Sequence, residues 1–176
     1  MKTVLDLKND GRFYIDDFNT ERLFGHNGLD IISYSFVEFP LGSIYMEMEE
    51  RILRLNETVV YKYLDKNNDS ESQYMDYCDK YGKKNPHRNR DAFDSLINDF
   101  SVDNNDYDPL KGVIIVNQYG FLLDGQHRAC LLLKKYGPKK KIPVLKIKAR
   151  MSVRRKLGLL FKYAKMIFGK KSPIIQ

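Results

Sequence analysis

One block of the chain, Gly112 to Ile147, constrains the fold more than any other. It opens with a short apolar run, Val113-Ile114-Ile115-Val116, turns at Asn117 to Gly120, and continues as Phe121-Leu122-Leu123. The five residues Asp124-Gly125-Gln126-His127-Arg128 follow at once, and from Gln126 to Tyr136 the pattern becomes helical, with Ala129, Leu132 and Leu133 on one face. Gly137-Pro138 is a helix stop, and Ile142 to Ile147 reads as a further strand. A run that is apolar at every position suits a strand buried on both sides. Strand, strand, helix and strand in this order predict a mixed α/β domain.

The rest of the 176 residues fits one domain with terminal additions. Val4–Lys8 and Phe13–Ile15 flank Asn9-Asp10-Gly11-Arg12, a turn sequence, and predict a β-hairpin over residues 3–15. Residues 16–29 read as a loop and Ile31–Phe39 as a strand stopped by Pro40. Residues 44–66 have near-helical spacing, with Leu55, Val59 and Tyr63 on one face and Asn56 able to cap a turn starting at Glu57. A second helix, capped by Asp69 or Ser70, carries Tyr74, Tyr77 and Cys78 and ends at Gly82. Lys83–Arg90 reads as a basic connection, Asp91–Phe100 as a helix, Ser101–Pro109 as a polar loop and Met151–Phe168 as a last, basic helix.

A 43% hydrophobic and 12% aromatic composition supports a core and excludes wholesale disorder. No stretch approaches the ~18–20 apolar residues of a spanning helix, and the N-terminus has no secretory apolar region. Cys78 and Cys130 lie far apart with no CxxC spacing, which argues against a disulfide framework and a cysteine zinc site. The expected location is cytoplasmic, either free or peripheral at the inner membrane face. The net charge of +7 is unevenly placed: residues 138–176 hold thirteen of the 30 Lys and Arg and no acid. The first 137 residues then carry 17 bases against 23 acids, a net of −6. A basic tail on an acidic body suggests a local attachment device and makes nucleic acid an unlikely partner.

The chemistry is concentrated at Asp124–Arg128. There a strand hands over to a helix whose first N–H groups lack intrahelical partners and carry partial positive charge. Gly125 permits close backbone approach, while His127 and Arg128 add donors in the first turn, and Arg128 can grip phosphate bidentately. This pattern makes an anion site, most often for phosphate. The same residues also suit a purely structural junction, with Asp124 as helix cap, Gly125 as turn and Arg128 in solvent.

The run Gly112-Val-Ile-Ile-Val116, Tyr119-Gly-Phe-Leu-Leu-Asp-Gly-Gln-His-Arg128, Ala129, Leu132, Gly137 and Ile142-Pro143-Val144 resembles the ParB/sulfiredoxin superfamily over roughly residues 85–148. The resemblance implies a core at 85–148, preceded by an extension at 1–84 on the acceptor side and followed by a basic amphipathic helix at 149–176. Sulfiredoxins carry a Cys immediately before His-Arg, and this chain has Gln126 there, so sulfinic-acid repair is not expected. ParB-type members bind CTP, load onto DNA and carry a helix-turn-helix domain, for which residues 147–176 are expected to be too short. A third branch contains free-serine kinases. Short members associated with surface-polysaccharide biosynthesis carry an E-T-x-x-Y-x-Y-L segment, which Glu57-Thr58-Val59-Val60-Tyr61-Lys62-Tyr63-Leu64 is similar to.

Together these imply a nucleotide-dependent phosphotransferase acting on a hydroxylated small molecule or surface-glycan precursor. The alternative is a ParB-like nucleotide- or nucleic-acid-binding module without phosphotransfer. The nucleoside di- or triphosphate (ATP, ADP or CTP, with Mg²⁺) would lie on Gly125, Gln126, His127 and Arg128. Asp124 would serve the metal or the cap, His127 would stabilise charge on the transferred group, and Glu57 would act as base. Glu57 also suits a first-turn helix acid. The other candidates read blandly: His26 lacks a ligand partner, His87 belongs to a basic segment, and Tyr61, Tyr63, Tyr74 and Tyr77 suit core or groove lining. Cys130 reads as an inert buried thiol. In the tail, Val153, Leu157, Leu160, Phe161, Ala164, Ile167 and Phe168 form one helical stripe flanked by Arg154, Arg155, Lys156, Lys162 and Lys165. That stripe has two destinations, an anionic membrane surface or the body of the protein.

Overall fold

Strand β1, Ile31–Pro40, runs antiparallel to β6, Lys141–Ala149, along its whole length. On the other side of β6 lies the parallel strand β4, Ile115–Asn117, which pairs antiparallel with β5, Leu122–Asp124. The resulting mixed sheet has the order β1-β6-β4-β5, and a separate antiparallel pair joins β2, Tyr45–Met48, to β3, Arg51–Arg54. Among the described residues of the computed structural model, five helices have defined bounds: α1 Val59–Tyr63, α2 Asn68–Tyr81, α3 Pro86–Val102, α4 Gln126–Tyr136 and α5 Val153–Phe168. The structure describes residues 7, 9–15, 23, 30–48, 51–65, 68–81, 86–102 and 107–168.

The chain is therefore of mixed α/β class, as the strand and helix order predicts. The apolar run at 113–116 has the reason the sequence suggests, since both faces of the sheet are covered. Ile114, Val116, Ile142 and Val144 pack with Leu132 and the helices on one face. Val113, Ile115, Leu145 and Ile147 pack with Leu7, Phe13 and Leu23 on the other. This is period-2 alternation between two buried layers, with no face left for water. β1, from residues 1–84, and β6, from 85–148, share the sheet, and the core under the helices draws on both segments.

Several local expectations are corrected. Tyr45–Met48 and Arg51–Arg54 form the β2–β3 pair, and Tyr45 N–H bonds to Gly120 O at 3.0 Å, docking it beside the β4–β5 turn. Helical spacing there is outweighed by a partner distant in sequence. The cap of α1 is Thr58, whose hydroxyl accepts the Tyr61 N–H. Helix α3 begins at Pro86, so residues 86–90 are helical; a proline's fixed φ and missing N–H fit a first helical turn. At the N-terminus the turn at residues 9–12 is present, yet Leu7 is helical. Tyr14 pairs instead with the loop before β4, through Tyr14 N–H to Pro109 O and Val113 N–H to Tyr14 O. The rest of the expected strand Val4–Lys8, the 16–29 loop apart from Leu23, which is helical, the Gly82 stop, His26 and residues 103–106 lie outside the described residues.

Helix α5 resolves the two destinations of the tail stripe in an unanticipated way. It packs on β3 through a different line of side chains, Leu159, Tyr163 and Met166, against Ile52, Phe121 and Tyr45. Lys162 adds a 2.7 Å ion pair with Glu47. The stripe itself stays in solvent, with Val153, Leu157, Leu160, Phe161 and Ile167 all exposed.

Candidate functional site

The five-residue motif sits where β5 ends and α4 begins. Gly125 holds φ +85°, and a Cβ there would lie 3.0–3.1 Å from Ile114 side chain and backbone. Both the conformation and the space demand glycine. The first bond of the helix ladder runs from Ala129 N–H to Gly125 O at 2.9 Å, so the N–H groups of Gln126, His127 and Arg128 precede the ladder.

Successive residues on a helix point in different directions, and the turn is divided accordingly. Gln126 and His127 are held from α2: Tyr77 hydroxyl donates to Gln126 Oε1 at 2.8 Å, and Tyr74 hydroxyl lies 2.7 Å from His127 Nε2. The Phe93 ring of α3 lies tilted at 4.4 Å from the imidazole centroid, and Tyr63 of α1 stacks on Tyr74 at 4.3 Å. Tyr63 in turn donates to Asp94. Burial, with Arg128 alongside, pushes the His127 pKa down to about 4, so the imidazole is neutral at pH 7. Gln126 Nε2 is buried with no hydrogen-bond partner among the described residues.

Arg128 points the other way. Its guanidinium lies over Gly112, whose φ is +139° and whose missing Cβ would sit 2.7–2.8 Å from both terminal nitrogens. Among the described residues it makes one hydrogen-bond contact, to Lys111 O at 3.5 Å, the outer limit of a hydrogen bond. Tyr107 hydroxyl accepts the Ile114 N–H at 2.8 Å and fixes the 112–114 backbone from below. A small polar cleft of about 110 Å³ results, lined by Tyr14, Lys111, Gly112, Asp124 and Arg128 among others. It combines two cations and one carboxylate beside a helix N-terminus, a setting in which a phosphoryl-sized anion gains charge-assisted bonds.

Of the residues singled out from the sequence, Asp124 and Arg128 come together at this cleft, Gly125 makes the turn between strand and helix, and Gln126 and His127 are drawn into the aromatic side. Glu57 ends the 3₁₀ turn Leu55–Glu57, and its Oε2 accepts the Arg54 N–H at 2.9 Å, in the manner of a capping acid. That turn packs on α4, and Thr58 Oγ1 lies 3.6 Å from Cys130 Sγ. The Thr58 hydroxyl gives its one proton to Leu55 O at 2.6 Å, so Cys130 is the donor of the pair. Burial pushes the Cys130 thiol up to about 12, which keeps it protonated. The side chain of His87 lies outside the described residues.

Sequence reasoning missed Tyr14, Lys111 and the steric role of Gly112, as well as Tyr74 and Tyr77 as partners of the motif. Glycine directly before a wholly apolar strand was the available signal for Gly112; nothing local marks the tyrosines. Comparison with protein-family models, with curated proteins and with solved structures yields no match to this chain.

Proposed function

We propose that the chain is a nucleotide-dependent phosphotransferase of ParB/sulfiredoxin type, acting on a hydroxylated small molecule or surface-glycan precursor. The observation that supports this reading is the placement of Arg128. Its guanidinium lies across Gly112, whose φ of +139° L side chains rarely adopt, in a cleft shared with Lys111 and Asp124. Among the described residues no carboxylate forms an ion pair with it. A cleft of about 110 Å³ seats a phosphoryl group, with the ribose and base outside it. In this reading Arg128 and Lys111 neutralise the donor phosphates, an electrostatic and positioning role.

No group of three or more His, Cys, Asp or Glu able to hold a metal occurs among the described residues. A Mg²⁺ ion would therefore arrive with the nucleotide, held by phosphate oxygens, water and Asp124, and would neutralise charge on the phosphates. Asp124 is the carboxylate of the cleft: where it holds the ion it is no base, and where phosphate oxygens and water alone hold the ion it takes over from Glu57 and His127 as the candidate base toward an acceptor hydroxyl.

The second reading, a ParB-like binding module without phosphotransfer, is favoured by those same two residues. Glu57 is occupied with a backbone N–H and His127 is neutral and bonded to Tyr74. Incubation with Mg²⁺ and each nucleotide, with hydroxylated acceptors, separates the two. Conversion of nucleotide matched by phosphorylated acceptor, lost in Asp124→Asn, supports the transferase. Affinity without product supports the module.

A further inference from the structure

Helix α5 has two apolar lines, and only one is used by the fold. Leu159, at 6% exposure, lies against Ile52 and Phe121, and Tyr163 and Met166 continue that line. The second line, Val153, Leu157, Leu160, Phe161 and Ile167, faces solvent at 49–72% exposure. At about 100° per residue these five positions fall within one continuous arc. Arg154 and Lys165 are exposed on one border of that arc and Lys156 on the other. Beside it, half-exposed Tyr119 and the flank of α5 enclose an apolar groove of about 560 Å³ that widens the same surface.

The geometry points to an anionic lipid surface as the occupant of this face, with α5 lying in the interface plane. Charge complementarity selects it: residues 138–176 carry thirteen basic and no acidic residues, while the remainder of the chain is net negative. A second copy of the chain meeting the same patch on a two-fold axis would set like-charged borders against each other. Nucleic acid would use the bases and leave the Leu and Phe stripe in water. A bilayer with anionic headgroups takes both, burying the apolar arc at the acyl boundary while Arg154, Lys156 and Lys165 remain among phosphates. This inference does not depend on the nucleotide reading.

The test uses the full chain, because removing α5 would also uncover Ile52 and Phe121. Binding is measured by flotation with phosphatidylcholine vesicles and with vesicles containing about a third phosphatidylglycerol. The chain should partition at least about tenfold more strongly to the anionic vesicles, and added salt should weaken this. Leu160→Glu/Phe161→Glu should lose at least about tenfold in partitioning at an unchanged melting temperature, and Lys156→Glu/Lys165→Glu should lose the preference for anionic lipid. Equal binding to both vesicles, or none, overturns the proposal. So does a dimer in light scattering that Leu160→Glu/Phe161→Glu dissociates without lipid, which assigns the face to self-association. A large fall in melting temperature in that variant assigns the arc to the core and overturns it too.

Discussion

The two sides of the first turn of α4 are one residue apart in sequence and opposite in character. On the side of α2 and α3, His127 and Gln126 are enclosed by Tyr74, Tyr77 and Phe93, with hydroxyl partners at 2.7 and 2.8 Å. On the other side, Arg128, Lys111 and Asp124 line an open polar cleft, where Arg128 reaches Lys111 O only at 3.5 Å. Polar groups that are buried and partnered hold a fold together, whereas charged groups gathered around a space are arranged for something that enters it. The comparison predicts that the aromatic side governs stability and the cleft side governs binding.

The largest effect should come from the residue common to both sides. Gly125→Val combines a left-handed backbone with a collision on Ile114, and should destabilise by about 3 kcal/mol or more in denaturant unfolding. A stable, wild-type-like Gly125→Val would mean that the turn is looser than described. Next is acid. At pH 7 neither state pays for a neutral His127; below about 6.5 the unfolded chain binds a proton that the folded one, with its imidazole at about 4, refuses. Stability contributed by this residue is thus full above pH 6.5 and lost as pH falls toward 4. The loss is at most about 3 kcal/mol, and less to the degree that water reaches the ring. His127→Gln should flatten the difference in unfolding free energy over that window; an unchanged slope would detach the residue from the acid response.

Tyr74→Phe should cost about 1–3 kcal/mol, because it leaves His127 Nε2 without its hydroxyl and also removes a contact to Cys78. Chemical denaturation reads this directly, and a neutral effect would count against the hydroxyl–imidazole bond. Smallest is the stability effect of Arg128→Ala, expected within about 0.5 kcal/mol of wild type, since it breaks one long contact to Lys111 O. A loss several times larger would place Arg128 with the fold and erase the contrast between the two sides.

The strand–strand–helix–strand block was legible because its signals are local: an apolar run bounded by glycines, a helical face, and Gly137 at the stop. The β2–β3 pair was not, because it is docked by a bond from Tyr45 to Gly120, far along the chain. Asp124, Gly125 and Arg128 could be named from the motif alone. The division of the motif into two sides could not, since it depends on Tyr74 and Tyr77, separated from their partners by 53 and 49 residues. The tail shows the same limit. Periodicity located an amphipathic stripe, but the line that docks α5, Leu159-Tyr163-Met166, follows from the shape of the β3 surface.

The most direct measurement is a titration of ATP, ADP and CTP, each with and without Mg²⁺, into wild type and Arg128→Ala, followed by calorimetry and thermal shift. The account predicts that at least one nucleotide raises the wild-type melting temperature, and that Arg128→Ala, equally stable without ligand, binds it at least about tenfold more weakly, the loss expected of one bidentate charged contact. Equal affinity in the two proteins, or no binding of any nucleotide to the wild type, would contradict it.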